Sequence, residues 1–415
     1  MSVPAVVVIG DGQLARMMAE PAAALGIELR ALVTDSASST AQVLPFTAHG
    51  SPNDTSIIRQ LCTGAIALTF EHEHIPTVLF RDLAGQLAIE PSREALLYAQ
   101  DKLEMRRRLD TLGVPQPRWR EVTSMADLEA AGAELGWPLV LKTARGGYDG
   151  RGVRVIGAAS QAADWLARLS GTAGEGLAGV DETTAAANSA ADSENLGLLA
   201  EELVSFDQEL AVLLARRRSG EIRQWPVAET YQDHGICSEV SVPAPGLSTG
   251  MTARAQQIAQ QIATGLDVTG ILAVEMFHVP ADPTDPTGRP ERVLVNELAM
   301  RPHNSGHWTQ DGSLTSQFEN HLRAVLDLPL GDTAMSAPAA VMVNLLGAED
   351  AASDDEPRAN YAAAMAAHPE AKIHYYGKGV RPGRKLGHVN MVGDNVEELL
   401  AAAREVRDIL NRPTS

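Results

Sequence analysis

Residues 138–154 read P-L-V-L-K-T-A-R-G-G-Y-D-G-R-G-V-R, and the fold turns on how this stretch is taken. The apolar run at 139–141 has the character of a strand end that delivers Lys142 to a surface. Gly146, Gly147, Gly150 and Gly152 follow, and residues 153–156 read as a returning strand. Glycines let backbone N–H groups wrap an anion with no Cβ in the way. A lysine at the strand end adds a compact charge suited to phosphate oxygens. No Gly-Lys-Ser/Thr opens a helix here, so the loop is not a Walker sequence. On this stretch alone, an ordinary glycine-rich hairpin is the competing reading.

Working outward, residues 5–9 form a buried-type strand, followed by Gly10-Asp11-Gly12-Gln13-Leu14-Ala15 and an apolar helix to about Leu25. A second strand over 28–34 ends at Asp35. A G-x-G-x-x-A turn with an acid about 20 residues on is the dinucleotide fingerprint. Alone it points to NAD. It also fits a βαβ unit whose glycines serve only the turn, or a helix start holding another phosphorylated ligand. Residues 65–70 read as a further strand, with Glu71-His72-Glu73-His74 at its C-terminal edge, where open α/β sheets gather ligands. Strand alternation separates neighbouring side chains, which weakens a metal reading. Glu71 is expected to accept a hydrogen bond from a ligand, against a plain solvated turn. Pro91 and Ser92 are expected to open one helix running through Asp101-Lys102 to Leu112, with Arg106 to Arg108 as a solvated face.

Residues 170–195 are small, polar and aperiodic, which reads as a surface insertion without chemistry. Strands are expected over 198–204, with Glu201 and Glu202, and over 207–215, with Glu209; a helix covers 253–266. The run I-L-A-V-E-M-F-H at 271–278 places Glu275 in the centre of an apolar strand, where a lone carboxylate costs several kcal/mol unless paired or coordinated. The strand at 293–297, across a Pro/Asp/Gly hairpin at 280–291, delivers Asn296-Glu297. Two carboxylates on adjacent strands, with phosphate oxygens and water, suit octahedral Mg²⁺; a buried arginine partner for Glu275 is the alternative. Arg301-Pro302-His303-Asn304-Ser305-Gly306-His307-Trp308-Thr309-Gln310 then has the polar density of an active-site loop. Beyond about Leu330 come strands at 339–346, 372–376 and 386–392, an acidic loop at 350–357, and helices at 361–367 and 395–410. The turn G-K-G-V-R-P-G-R-K gathers Lys378, Arg381, Arg384 and Lys385 around a Pro-Gly pair.

The 415 residues suit about three domains. Neither a bilayer-length apolar run nor a basic signal region occurs. Cys62 and Cys237 form no C-x-x-C, which fits a reducing cytoplasm and no structural zinc. A net charge of −19 argues against a nucleic-acid or anionic-membrane partner.

Taken together, K-T-A-R-G-G-Y-D-G-R-G, E-E-L-V, the Glu275 and Asn296-Glu297 acids and R-P-H-N-S-G-H-W-T-Q resemble an ATP-grasp ligase. With G-D-G-Q-L-A-R-M, T-F-E-H-E-H-I and H-Y-Y-G-K-G-V-R-P-G-R-K-L-G-H-V-N, the chain is similar to the 5-(carboxyamino)imidazole ribonucleotide synthetases, the ATPase subunits of phosphoribosylaminoimidazole carboxylase. The resemblance covers the chain outside 170–195 and 280–291. It implies an α/β ATP-grasp fold: a Rossmann-like domain over 1–100, an ATP-grasp domain over 101–330 with its lid lobe at about 115–205, and a small mixed β/α domain over 331–415.

The resemblance further implies that Lys102 and Lys142 contact ATP phosphates under a flap of Gly147, Tyr148, Asp149, Gly150, Arg151, Gly152 and Val153. Glu201, Glu202, Leu203 and Val204 would hold the adenine edge and hinge, and Glu209 the ribose. Gln232 stands where the family often has a histidine near the nucleotide. Glu275 and Glu297 would ligate Mg²⁺, with Mn²⁺ as a substitute, beside Asn296. Gly12, Gln13 and Glu71 would face aminoimidazole ribonucleotide instead of NAD, with His303, Asn304 and Ser305 nearby and Lys378, Arg384 and Lys385 on its phosphate. Bicarbonate would be activated as carboxyphosphate, oriented by Arg301, with Tyr148 and Asp149 closing the site and Lys142 neutralising charge. A cytoplasmic homodimer is implied. Rivals at this point are a formate-dependent glycinamide ribonucleotide transformylase, an NAD-dependent oxidoreductase and a non-catalytic nucleotide-binding regulator.

Overall fold

The computed structural model describes residues 3–146, 152–169, 197–233, 235–281, 288–348 and 356–412. The insertion expected at 170–195 and most of the acidic loop at 350–357 lie outside them.

Strands β1 (Ala5–Ile9), β2 (Glu28–Val33), β3 (Phe46–His49), β4 (Ala67–Phe70) and β5 (Ala88–Ile89) form a parallel sheet in the order β3-β2-β1-β4-β5. β1 is buried throughout because both faces are covered. Val6 and Val8 pack on Leu14, Ala15 and Met18 of the helix Gln13–Ala24, while Val7 and Ile9 pack on Ile58 and Leu79.

A second, antiparallel sheet comprises β6 (Trp119–Val122), β7 (Leu139–Thr143), β8 (Val153–Ile156) and β9 (Leu198–Glu202), ordered β6-β9-β7-β8. Leu128 and Leu135 of the helix Met125–Leu135 and Trp165 of Ala163–Leu169 cover one face of it.

The third sheet holds β10 (Gln208–Arg216), β11 (Ile222–Gln224), β12 (Ala228–Asp233), β13 (Ile236–Val242), β14 (Gly270–Val279), β15 (Arg292–Ala299), β16 (Ala339–Leu346), β17 (Lys372–Tyr375) and β18 (Lys385–Gly393). Its order is β15-β14-β10-β12-β13-β16-β18-β17, with β11 on β10. The C-terminal strands therefore extend the central sheet through the β13–β16 pairing, Glu239 opposite Val343. A change of composition near Leu330 does not interrupt the hydrogen-bond ladder, although a separate apolar cluster forms under the helix Val396–Leu410.

The single helix expected from Pro91 to Leu112 is two, Arg93–Gln100 and Lys102–Leu112. Asp101 between them is extended, and its carboxylate accepts from Leu103 N and Glu104 N. An N-capping acid ends one helix and starts the next there.

The helix Gln317–Val325 fastens the first sheet to the third. Phe318 and Leu322 join the first sheet's core, and Ala324 that of the third. Between them His321, fully buried, hydrogen-bonds Thr69 Oγ1 of β4 through Nε2 at 2.8 Å and accepts from Ile271 N of β14 at 3.3 Å. Among the described residues no helix is long and apolar enough to cross a membrane.

Trp225, with no exposed surface, sits in this central core and donates from Nε1 to Ser313 Oγ at 3.0 Å and Thr315 O at 3.2 Å. Trp225→Ala should cost about 3–5 kcal/mol through the cavity it leaves. Trp225→Phe should cost less, mainly the stranded acceptors. Urea unfolding of the two variants against the parent chain checks the ranking.

Candidate active site

β14 and β15 place Glu275 opposite Glu297, but the register slips next to this pair: Met276 faces Val295 and Asn296 has no partner. Strict alternation would send Asn296 and Glu297 to opposite faces; the bulge re-aims one of them. Both then meet lysines. Lys102 Nζ donates to Glu297 Oε1 at 2.6 Å and Lys142 Nζ to Asn296 Oδ1 at 3.0 Å. The Lys102 ammonium is held above its usual range, since burial opposes its charge but Glu297 outweighs it. Burial, then Glu297 and Glu209, pushes Glu275 up to about 7. Glu209 on β10, opposite Phe277, is also pushed up to about 7 by burial. The neighbour of Glu275 is His303, whose Nε2 lies 3.4 Å from Oε1, and not the arginine considered as an alternative. Burial, reinforced by Arg301 and Lys385, lowers His303 to about 3, so the contact is one of a neutral imidazole.

On the lid sheet, Lys142, next to last in β7, ion-pairs with Glu201 Oε2 at 2.8 Å. Glu201 is 2 % exposed and its Oε1 also accepts from Arg106 Nε at 2.6 Å. Burial alone would raise this carboxyl, but the two cations hold it at about 2. Its side chain is therefore committed to an internal ion pair. Glu202, Leu203 and Val204 line a cavity of about 620 Å³ with Trp137, Pro138 and Val279. Glu202 is tied to Arg118, from Nε at 2.7 Å. Gly152 accepts from Thr143 N, and Val153 pairs with Lys142 as β8 returns. Gly147, Tyr148, Asp149, Gly150 and Arg151 lie outside the described residues. Gln232 sits half-buried at a register shift between β12 and β13.

The expected solvated face at Arg106 to Arg108 is corrected. Arg107 is the exposed member, paired with Glu104 at 2.5 Å. Arg108 reaches Gly265 O at 2.7 Å, and Arg106 has no exposed surface at all. The 102–106 spacing puts Lys102 and Arg106 on one helical face, and that was the available signal.

Glu71 is not a solvated turn residue. Its carboxylate accepts from Gly12 N and, at 2.9 Å, from Ala15 N, filling the start of the helix Gln13–Ala24. The approach is so close that a Cβ on Gly10, whose φ is +140°, would stand 2.1 Å from Glu71 Cγ. Burial raises this carboxyl against those two backbone donors. A side-chain anion thus occupies the cradle that a dinucleotide pyrophosphate would need. Asp35, the acid of the fingerprint, caps its own turn by accepting from Ala37 N.

Gln13 beside it accepts from Lys378 Nζ across 365 positions of sequence. Ser39 Oγ donates to Tyr376 O at 2.6 Å and Gln42 Nε2 to Gly377 O at 2.7 Å, so the basic turn is seated on the first domain. Burial, then the Arg384 and Lys385 charges, brings Lys378 down to about 8 against the pull of Glu71. Arg301 Nε donates to Glu73 Oε2 at 3.0 Å, and this, with His74, holds Glu73 at about 2 despite burial.

The polar loop after β15 turns much of its polarity inward. Ser305 Oγ meets His303 Nδ1 at 2.9 Å, and Asn304 Nδ2 donates to Cys237 O at 3.2 Å. Gln317, missed by sequence reasoning, brackets His303 by accepting from its N at 2.8 Å and donating to its O at 2.8 Å. His307, Trp308 and Thr309 are buried behind it.

A lysine-bearing lid strand, a hinge, and acids on two opposed strands of a larger antiparallel sheet define the ATP-grasp class of enzyme. Residues 107–318 match the ATP-grasp domain family, 3–100 the ribonucleotide synthetase preATP-grasp domain, and 340–402 the phosphoribosylaminoimidazole carboxylase C-terminal domain. The N5-carboxyaminoimidazole ribonucleotide synthase of Mycobacterium tuberculosis is 44% identical over 403 residues, covering 96% of this chain and 86% of that one. That of Corynebacterium ammoniagenes is 42% identical over 412 residues, covering 98% and 92%. Among solved structures, the Thermus thermophilus synthetase superposes with a TM-score of 0.79 at 34% identity, covering 99% of this chain and 98% of that one. The Aspergillus clavatus synthase with ADP and 5-aminoimidazole ribonucleotide gives 0.80 at 29%, covering 99% of both. The chain belongs to the N5-carboxyaminoimidazole ribonucleotide synthase family.

The buried charges set an acid limit. His321, lowered to about 3 by burial, stabilises the fold fully above the ordinary histidine value of 6.5 and loses that contribution as pH falls. Glu201, held at about 2, contributes above 4.5 and loses its share toward pH 2, on the order of 3 kcal/mol. Between pH 7 and 4.5 the loss at His321 is opposed by Glu209 and Glu275, whose raised carboxyls gain stability as they protonate, so the clear fall in urea midpoint is expected below about pH 4.5. A midpoint unchanged as pH falls below about 4.5 would contradict the Glu201 assignment.

Proposed function

We propose that the protein joins bicarbonate to the exocyclic amine of 5-aminoimidazole ribonucleotide at the expense of ATP, giving N5-carboxyaminoimidazole ribonucleotide, ADP and phosphate. The observation that carries this reading is the contact of Lys378 with Gln13, which supports a phosphorylated-ribonucleotide site between the chain's two ends. The relatives' names and the Aspergillus clavatus complex support the same substrate.

Lys102 and Lys142 would hold phosphate oxygens of ATP, the hinge Glu202 to Val204 the adenine, and Glu209 the ribose. Glu275, Glu297 and Asn296 offer hard oxygen donors that fit Mg²⁺, or Mn²⁺ in its place. Among the described residues no group of three or more His, Cys, Asp or Glu forms a self-sufficient cage, which fits an ion shared with phosphate oxygens. When bound, the ion neutralises charge on the transferring phosphoryl group.

A bicarbonate oxygen attacks the γ-phosphorus and displaces ADP, giving carboxyphosphate. The amine nitrogen then attacks the carboxyl carbon, the carbon–oxygen bond to phosphate breaks, and the nitrogen sheds a proton. Arg301, fixed by Glu73, orients the carboxyphosphate, and His303, Asn304 and Ser305 border it. Lys378, Arg384 and Lys385 hold the ribonucleotide phosphate. Tyr148 and Asp149 are assigned to closing the site on family resemblance. The two buried thiols fit a cytoplasmic protein, and a homodimer is the assembly the family resemblance supports.

Phosphate release from ATP should require aminoimidazole ribonucleotide and bicarbonate together, and formate with glycinamide ribonucleotide should not replace them. Glu275→Gln and Glu297→Gln should each abolish most turnover, since the amide keeps shape but not charge; near-parental rates in both would remove the metal assignment. Lys378→Ala should raise KM for the ribonucleotide roughly tenfold or more, the worth of one charge-assisted contact. Its KM for ATP should change little. The opposite pattern would assign the turn to the nucleotide.

A further inference from the structure

Arg106 has no exposed surface, and each of its guanidinium N–H groups has a partner. Nε donates to Glu201 Oε1 at 2.6 Å and Nη2 ion-pairs with the same oxygen at 2.6 Å. Nη2 also donates to Asn296 O at 2.9 Å, while Nη1 donates to Val295 O at 2.8 Å and Gln116 Oε1 at 3.2 Å. Two of these acceptors are main-chain carbonyls of the bulge in β15, which is the edge strand of the central sheet. Val295 N is met by Pro115 O at 2.9 Å. Arg106 and Pro115 together therefore supply to β15 what a neighbouring strand would have supplied.

The same guanidinium shares Glu201 with Lys142. Glu201 immediately precedes the hinge residue Glu202, and Lys142 reaches back to Asn296 Oδ1 at 3.0 Å. A closed circuit results: Arg106, Glu201, Lys142, the Asn296 side chain, the Asn296 carbonyl and Arg106 again. A shift of the hinge strand must move Glu201, and through it both cations that hold the bulge carrying Glu297.

We infer that Arg106 is a positioning residue coupling the nucleotide hinge to the metal-binding bulge, so that hinge and metal acids are set as one unit. The inference rests on the ATP-grasp reading of Glu275 and Glu297. A lysine in its place would keep a charge beside Glu201 but has no planar fork to reach both carbonyls.

The test compares the affinity for ADP with and without Mn²⁺, by fluorescence titration and by electron spin resonance of free Mn²⁺. In Arg106→Lys the metal-free affinity for ADP should fall by less than fivefold, while the gain that Mn²⁺ confers should shrink at least tenfold. Gln116→Ala, which removes one Arg106 acceptor but leaves the circuit intact, should keep the full gain. An unchanged gain in Arg106→Lys, or an equal loss in Gln116→Ala, overturns the inference. Should Arg106→Lys fail to fold, hydrogen exchange on the parent protein decides. ADP without metal should already slow exchange at 296–298; slowing only after Mn²⁺ is added overturns the coupling. A parent chain that binds no nucleotide would instead remove the assignment of the hinge and of Glu275 and Glu297 to the nucleotide and metal site.

Discussion

A carboxylate shut away from water must find cations or neutralise, and Glu201 has found two. Its oxygens are divided between Arg106 and Lys142, from different parts of the chain. Taking such charges out of water costs several kcal/mol per ion, and only good geometry recovers it. The arrangement is therefore sensitive to displacement, which suits a place where a lid, a hinge and a metal-bearing strand must agree. Less enclosed pairs stand at Arg301 with Glu73 and at Lys102 with Glu297, where the Glu297 side chain is 42% exposed. Ion pairs thus join parts of the site that come from different sheets.

Much of the fold was legible in the sequence because its strands are apolar runs of the right length with glycine and proline between them. β1, β16 and the helix Tyr361–Ala367 fall where pattern alone puts them. The break at Asp101 was not legible as a break, because an acid inside a helical pattern also reads as an exposed residue; only its bonds to Leu103 N and Glu104 N make it a cap. Nor could composition show that β16 to β18 continue the central sheet. Pairing between β13 and β16 depends on contacts across about a hundred residues, which local periodicity does not carry.

In the site, the residue types were readable and their partners were not. Glu275 stood out as an acid in an apolar strand, and the structure sets it opposite Glu297. The bulge that turns Asn296 toward Lys142 leaves no mark in alternation. Glu71 was read as an acceptor, correctly in chemistry, but the donors are the chain's own Gly12 and Ala15. A glycine fingerprint reports room for an anion at a helix start and says nothing of whether that anion is a ligand or a side chain. Arg106 was misread because a run of three arginines looks solvated when only one of them is.

The core of the first sheet draws on residues from far along the chain: Phe318, Leu322, Val325 and Tyr376 all pack into it. During synthesis those side chains leave the ribosome long after β1 to β5 have done so. Until then the face of the sheet where Val6 and Val8 meet Leu14, Ala15 and Met18 of the first helix is only partly covered. The core of the N-terminal unit is completed by a helix that arrives more than about two hundred residues after its last strand. Proteins of this size commonly fold domain by domain, and exposed apolar surface in the interval invites aggregation. Here the order of assembly is set by the latecomers: the core of the first sheet is complete only once Phe318, Leu322, Val325 and Tyr376 have all emerged.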